Sequence, residues 1–192
     1  YDDHGPFTGC KSLKNVTFDD KTTKIIDYLF DGCSGLEITT IPDTITNIGN
    51  SAFYNCTALT EIEIPSSVTN IGCDAFYYCT SLEKLTLNEG LKTIGANCFE
   101  NTKISSVNIP STLTAVNMPS YDDHGPFYKS TTLKEVTIAD NTAIIPDYLF
   151  ENCNSLRNVN IPEGVTSIGY YTFGYCYSLT EVTLPDTVTT LE

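Results

Sequence analysis

Histidine, cysteine and clustered carboxylates are the side chains of this chain that could do chemistry, and their placement is unusual. Both histidines, His4 and His124, sit in the same heptamer, Tyr-Asp-Asp-His-Gly-Pro-Phe, found at 1–7 and again at 121–127. Asp122, Asp123 and His124, with Asp140 nearby and Asp20 as its earlier counterpart, form an oxygen-rich group of the kind that holds Ca²⁺. The spacing is not that of an EF-hand, and Gly125-Pro126 reads as turn chemistry. The heptamer is therefore expected to be a solvated junction loop, and neither metal nor cofactor is expected. The chain has no Gly-rich phosphate loop, no Cys/His dyad and no Gly-x-Ser-x-Gly elbow. Carboxylate pairs such as Glu61 and Glu63 recur as the polar side of a strand, so no enzymatic activity is expected.

The elements that position these residues follow from one period. Phenylalanine falls at 7, 30, 53, 76, 99, 127, 150 and 173, spaced by 23 except for one step of 28; only Phe18 lies off this grid. A fixed period of this length marks a solenoid. One unit reads Phe53, Cys56, Leu59, Ile62, Ile64, Pro65, Val68, Ile71, Gly72, Ala75. The alternation of Glu61, Ile62, Glu63 and Ile64 is strand periodicity with one buried face. Pro65 and Gly72 punctuate the strands. The Ala-Phe-x-x-Cys piece is too short for a standard helix and reads as a turn or a single 3₁₀ turn. A 23-residue unit cannot bury its own apolar face, but stacked units can. Eight units at a strand spacing of about 4.8 Å make a rod of roughly 40 Å.

A longer period lies above the short one. Aligned without gaps, 1–72 and 121–192 share 33 identities in 72 positions. The offset of 120 equals four regular steps and the long one, so five-unit cassettes are duplicated. The chain starts at a cassette boundary and stops within a unit, which is the pattern expected of a piece of a longer repeat protein. Between Val116 and Phe127 there are ten residues where a regular unit has four, so 117–126 is expected to loop outward.

The cysteines obey the grid as well. Cys10, Cys33, Cys56, Cys79, Cys153 and Cys176 stand three residues after the slot phenylalanine, with Thr102 and Ser130 in the same place in the other two units. A slot that accepts Cys, Ser or Thr wants a small group with a hydrogen-bond donor. Stacked neighbours would hold Cβ atoms near 4.8 Å with parallel vectors, outside the usual disulfide range of about 3.5–4.5 Å. A buried ladder of reduced thiols is expected. Cys98 takes an alanine slot and should join it, and Cys73 should be the most accessible.

Charge excludes partners. Asp and Glu number 24 against 10 Lys and Arg, for a net charge of −14. Phosphate backbones and anionic lipid surfaces should be repelled, so no nucleic acid is expected as a partner. Apolar runs are only a few residues long, so no helix should span a bilayer.

The pattern Phe-x-x-Cys-x-x-Leu-x-x-Ile-x-Ile-Pro-x-x-Val-x-x-Ile-Gly resembles the BspA-like leucine-rich repeat from Phe7 to Leu191. The resemblance implies a β-rich solenoid, a right-handed coil of about eight 23-residue units with short turns and few or no long helices. It also implies a secreted or surface-anchored protein, of a family in which several members are adhesins for host matrix proteins or other cells. This sequence departs from the pattern in places. The fifth unit is one residue short before Ile109, and the first and sixth units lack proline after Phe18 and Ile138. The family has no shared catalytic residues to carry over.

Two surfaces could meet a protein ligand, such as a host extracellular-matrix or cell-surface protein. The first is the outward face of the long strands: Lys14, Thr17, Glu61, Glu63, Lys84, Thr86, Glu135, Thr137, Arg157 and Asn160. It is either an extended binding sheet or a solvated face on which threonine suits strands. The second is an edge of tyrosines flanking the slot phenylalanine, including Tyr77, Tyr78, Tyr170, Tyr171 and Tyr175. They either offer rigid contact area or cover the apolar turn. Adhesion by protein–protein contact is the expected role. The alternatives are a structural stalk of cassettes and a glycan binder using the tyrosine edge.

Overall fold

A computed structural model describes residues 4–192, so Tyr1, Asp2 and Asp3 of the first heptamer lie outside the described residues. Two rows of short strands alternate along the chain. The first row is Asn15–Val16, Ile38–Thr39, Glu61–Ile64, Lys84–Leu87, Ser106–Ile109, Glu135–Ile138, Asn158–Asn160 and Glu181–Thr183. The second is Lys24–Ile25, Asn47–Ile48, Asn70–Ile71, Thr93–Gly95, Ala115–Asn117, Ile144–Ile145, Ser167–Ile168 and Thr190–Leu191. Eight strands per row make seven full turns of a parallel β-solenoid, with no helix among the described residues.

Pairing is parallel and steps from unit to unit, as in Glu61↔Lys84 through Ile64↔Leu87 and Asn47↔Asn70. Ile62 and Ile64 are buried while Glu61 and Glu63 are exposed, so the alternation assigns one face to the core. The Ile-Gly step brings successive backbones together. A Cβ on Gly72 would stand 2.5 Å from the Asn50 nitrogen, so only glycine fits there.

The phenylalanines stack as one column through the coil. Consecutive ring centroids from Phe7 to Phe173 are 5.1–5.8 Å apart, and the column runs unbroken across the long unit, with Phe99 and Phe127 at 5.2 Å. Phe18, off the grid, packs edge-on against Phe30. The turn segment carrying the column has a ladder of its own. The N–H groups of Ser51, Phe53 and Asn55 donate to the carbonyls of Cys73, Ala75 and Tyr77 in the next unit. Ser51 and Asn55 have φ of 51° and 55°, and the same two slots are left-handed in most units. Placing residues two before and two after Phe in the left-handed region aims alternate N–H groups along the stack.

The slot thiols are all free, and Cys33, Cys56, Cys79, Cys153 and Cys176 are buried, as is Cys98. Each of these five slot cysteines donates to the carbonyl of the slot phenylalanine one unit back, at 3.1–3.3 Å. Burial pushes the Cys79 thiol up to about 12, and Cys56, with thiols on both sides, is also pushed up. The expectation of a uniformly buried ladder needs one correction: Cys10, in the first unit, is exposed, because no described unit precedes it.

The long unit also corrects its expected boundaries. Asn117 belongs to a strand, and the carbonyls of His124 and Pro126 accept from Asn97 and Phe99, so 117 and 124–126 stay in the coil. Only 118–123 leave it. The first row pairs straight across in register, Ser106↔Glu135 to Ile109↔Ile138. The second row breaks after Ala115–Asn117 and resumes at Ile144–Ile145. The insertion is thus absorbed at one corner.

Candidate functional site

The strand face is assembled as the alternation requires. Lys14, Thr17, Glu61, Glu63, Lys84, Thr86, Glu135, Thr137, Arg157 and Asn160 are all exposed. Glu61, Glu63, Lys84 and Thr86 line one shallow groove of about 520 Å³ with Ile41 and Pro65. The charges there answer one another. Lys84 Nζ lies 3.5 Å from Glu61 Oε2, and Lys14 Nζ lies 2.9 Å from Glu37 Oε1. Glu63 Oε1 accepts from Asn88 Nδ2 at 3.0 Å. Exposed pairs of this kind contribute at most about 1 kcal/mol each.

The tyrosine edge is not continuous. Tyr54, Tyr77 and Tyr78 form one cluster, with centroids 5.3 and 4.9 Å apart. Glu100 and Asn101 take the equivalent places in the fifth unit and interrupt the row. The second cluster is larger. Tyr148, Tyr170, Tyr171, Tyr175 and Tyr177 contact one another in sequence, from 4.4 Å for Tyr170 and Tyr171 to 6.2 Å for Tyr175 and Tyr177. Tyr170, Tyr171, Tyr175 and Tyr177 are exposed.

The backbone explains this gathering. The Tyr148 N–H donates to the Tyr170 carbonyl, and Asp147 Oδ1 accepts from the Tyr170 N–H, both at 2.8 Å. Gly174 has no side chain to collide with the Tyr171 ring, which a Cβ there would approach to 2.6 Å. Tyr148, Tyr171 and Tyr175 occupy left-handed positions, with φ of 56°, 51° and 59°. Holding a bulky residue there costs on the order of 1–2 kcal/mol.

These tyrosines line a cleft of about 540 Å³ together with Tyr128, His124, Asn152 and Glu151. Glu151 is only 6% exposed. Its Oε2 faces His124 Nδ1 at 3.3 Å and accepts from the Gly125 N–H at 3.4 Å. The His124 ring lies flat on Tyr128, with centroids 3.6 Å apart. Burial, then the Glu151 carboxylate, push the Tyr148 phenol up; Tyr175 is pushed up first by its hydrogen bond with Tyr171.

His124 is therefore not the tip of a solvated loop. The candidate Asp-Asp-His grouping does not converge, since Asp123 turns back to accept from the Ser120 N–H at 2.7 Å. Among the described residues no group of three or more His, Cys, Asp or Glu gathers to hold a metal. Sequence reasoning placed Tyr170, Tyr171 and Tyr175 on this edge but missed Glu151 and His124 as its floor. A signal existed: an acid follows each histidine by 27 residues, His4 with Asp31 and His124 with Glu151.

Two rows of parallel strands, a phenylalanine column and a thiol ladder define a leucine-rich-repeat solenoid. The model of the BspA type leucine rich repeat region matches residues 3–125 and 123–192 in six copies, and the chain belongs to that family. Among solved structures it is similar to a leucine rich repeat protein of T. pallidum. They share 26% identity over 83% of this chain and 72% of that one, with a TM-score of 0.69. It is also similar to a leucine rich cell surface protein from Faecalibacterium prausnitzii, with 25% identity over 97% of this chain and a TM-score of 0.50. The chain spans 61% of that protein's length. No curated protein matches the sequence. No helix among the described residues is long and apolar enough to cross a membrane.

Proposed function

We propose that this solenoid is a non-enzymatic binding module of a secreted or surface-exposed protein, and that it acts by adhesion through its second tyrosine cluster. The observation that supports this reading is the contiguous group of exposed tyrosines, three members of the cluster being held at left-handed φ. The left-handed backbone serves stacking in most units, so the weight of the reading falls on the aromatic rings gathered at these positions. Large rigid side chains with a polar tip suit protein contact. The strand face, exposed but without a cluster of large rigid side chains, is the weaker candidate.

The test is binding of the chain to a panel of purified extracellular-matrix proteins by biolayer interferometry. One variant would combine Tyr170→Asn, Tyr171→Ser, Tyr175→Asn and Tyr177→Thr, the residues found at the equivalent positions 50, 51, 55 and 57. A second would combine Lys84→Ser and Arg157→Ser. Saturable binding that is lost in the first and kept in the second supports the reading. Absence of saturable binding, or loss confined to the second variant, overturns it.

A further inference from the structure

We propose that the second tyrosine cleft accepts a basic side chain, an arginine or lysine displayed by a protein partner. The inference rests on the adhesive reading above and specifies the chemistry of its contact. The cleft walls are aromatic faces, and a cation placed over such a face is attracted by the ring quadrupole. Its floor is a carboxylate that is more than nine-tenths buried, and both of its hydrogen bonds, from Gly125 and with His124, fall on Oε2. Among the described residues Oε1 has no hydrogen-bond partner, which leaves it open to a charged donor. Tyr148, Tyr170, Tyr171 and Tyr175 line the same cleft as Glu151.

The edge already shows this chemistry once. Lys129 Nζ sits 4.7 Å from the Tyr128 ring centroid, so an ammonium is accepted on an aromatic face of this same cleft wall. An anionic group would meet the Glu151 charge, whose field already opposes ionisation of Tyr148 and Tyr175. The net charge of −14 favours the approach of a basic partner over long range. A volume of about 540 Å³ lies within the usual range of small binding sites, and a long basic side chain fits it.

The probe is a seven-residue Gly/Ser peptide with a single central arginine, compared with its citrulline twin, which keeps the shape and loses the charge. Binding to the intact chain is followed by NMR through the tyrosine ring protons. The arginine peptide should shift the rings of Tyr170, Tyr171 and Tyr175, and the citrulline peptide should not. Glu151→Gln should weaken the arginine peptide by about tenfold, the worth of one charge-assisted bond, and the four-tyrosine variant should abolish the shifts. Rising salt should weaken binding in the wild type. Equal binding of the two peptides, or tyrosine shifts produced by a neutral oligosaccharide instead, overturns the proposal. If the arginine peptide fails while matrix-protein binding still depends on the four tyrosines, the adhesive reading stands and the cationic contact falls. If both fail, both readings fall.

Discussion

The two copies of the cassette, residues 4–72 and 121–192, use one scaffold to present two different edges. Phe30 and Phe150 are both buried, each between two rings of the column. Tyr28 and Tyr148 correspond, and both are left-handed. The acid at the floor is kept too. Asp31 is pushed up by burial and pulled back by His4, the counterpart of the Glu151 and His124 pair. The rim differs. Where the second copy has Tyr128, Tyr170, Tyr171, Tyr175 and Tyr177, the first has Thr8, Asn50, Ser51, Asn55 and Thr57. Positions that pack against both neighbours cannot change without leaving a cavity. The rim positions, most of them at least partly exposed, differ between the copies, and in one copy they are aromatic despite a backbone that at several of them suits Asn or Gly. The first copy, which lacks the aromatic rim, is the reference against which the second is compared.

The largest expected effect tests the shared scaffold. Phe30→Ala and Phe150→Ala should each cost about 3–5 kcal/mol in denaturant unfolding, as large core truncations do. Phe7→Ala should cost no more than about 1–2 kcal/mol, because that ring is 47% exposed. Unequal losses at Phe30 and Phe150 would break the equivalence of the two copies.

The heptamer comes next. Deleting Met118 to Asp122 should leave stability within about 1 kcal/mol, since loops shorten at small entropic cost. Extending the deletion through Gly125 should cost about 2 kcal/mol or more, because Glu151 loses both partners and Asn97 loses its acceptor. Thermal melts that failed to separate the two deletions would return His124 and Gly125 to the loop.

A smaller effect of opposite sign concerns the rim. Tyr175→Asn should raise stability by up to about 1 kcal/mol, since asparagine tolerates left-handed φ and the lost ring is half exposed. The reverse change in the first copy, Asn55→Tyr, should lower stability by a similar amount in the same unfolding experiment. A destabilised Tyr175→Asn would mean that the tyrosines hold the turn together.

Thiol reactivity sharpens the comparison with no change in stability. In the native state only Cys10 and Cys73 should be labelled quickly by a thiol reagent. The other six are buried, and among them Cys56, Cys79, Cys98, Cys153 and Cys176 are pushed up chiefly by burial. Cys10 and Cys153 occupy the same slot in the unit, so fast labelling of one and not the other would follow from their difference in burial alone.

The period of 23 determined the repeat, the strand faces, the phenylalanine column and the burial of most slot cysteines. It could do so because each unit meets the next in the same way, and a residue type repeated in one slot reports what that slot touches. The insertion after Val116 was visible for the same reason, as an excess over the period. Its true extent was not, because whether His124 stays in the coil depends on backbone bonds to Asn97 and on Glu151, 27 residues on. The left-handed φ values were also hidden, since tyrosine does not announce such a backbone as glycine does. The cleft was hidden most completely. Tyr128, Tyr148, Tyr170 and Tyr175 belong to three units and come together only when stacking brings one unit's turn beside the next. Glu151 looks like any other surface acid until the heptamer folds over it. The sequence alone determined the slots, because one-dimensional stacking repeats them; only the tertiary structure decided which exposed side chains share a cavity, because that depends on contacts between units that no single repeat contains.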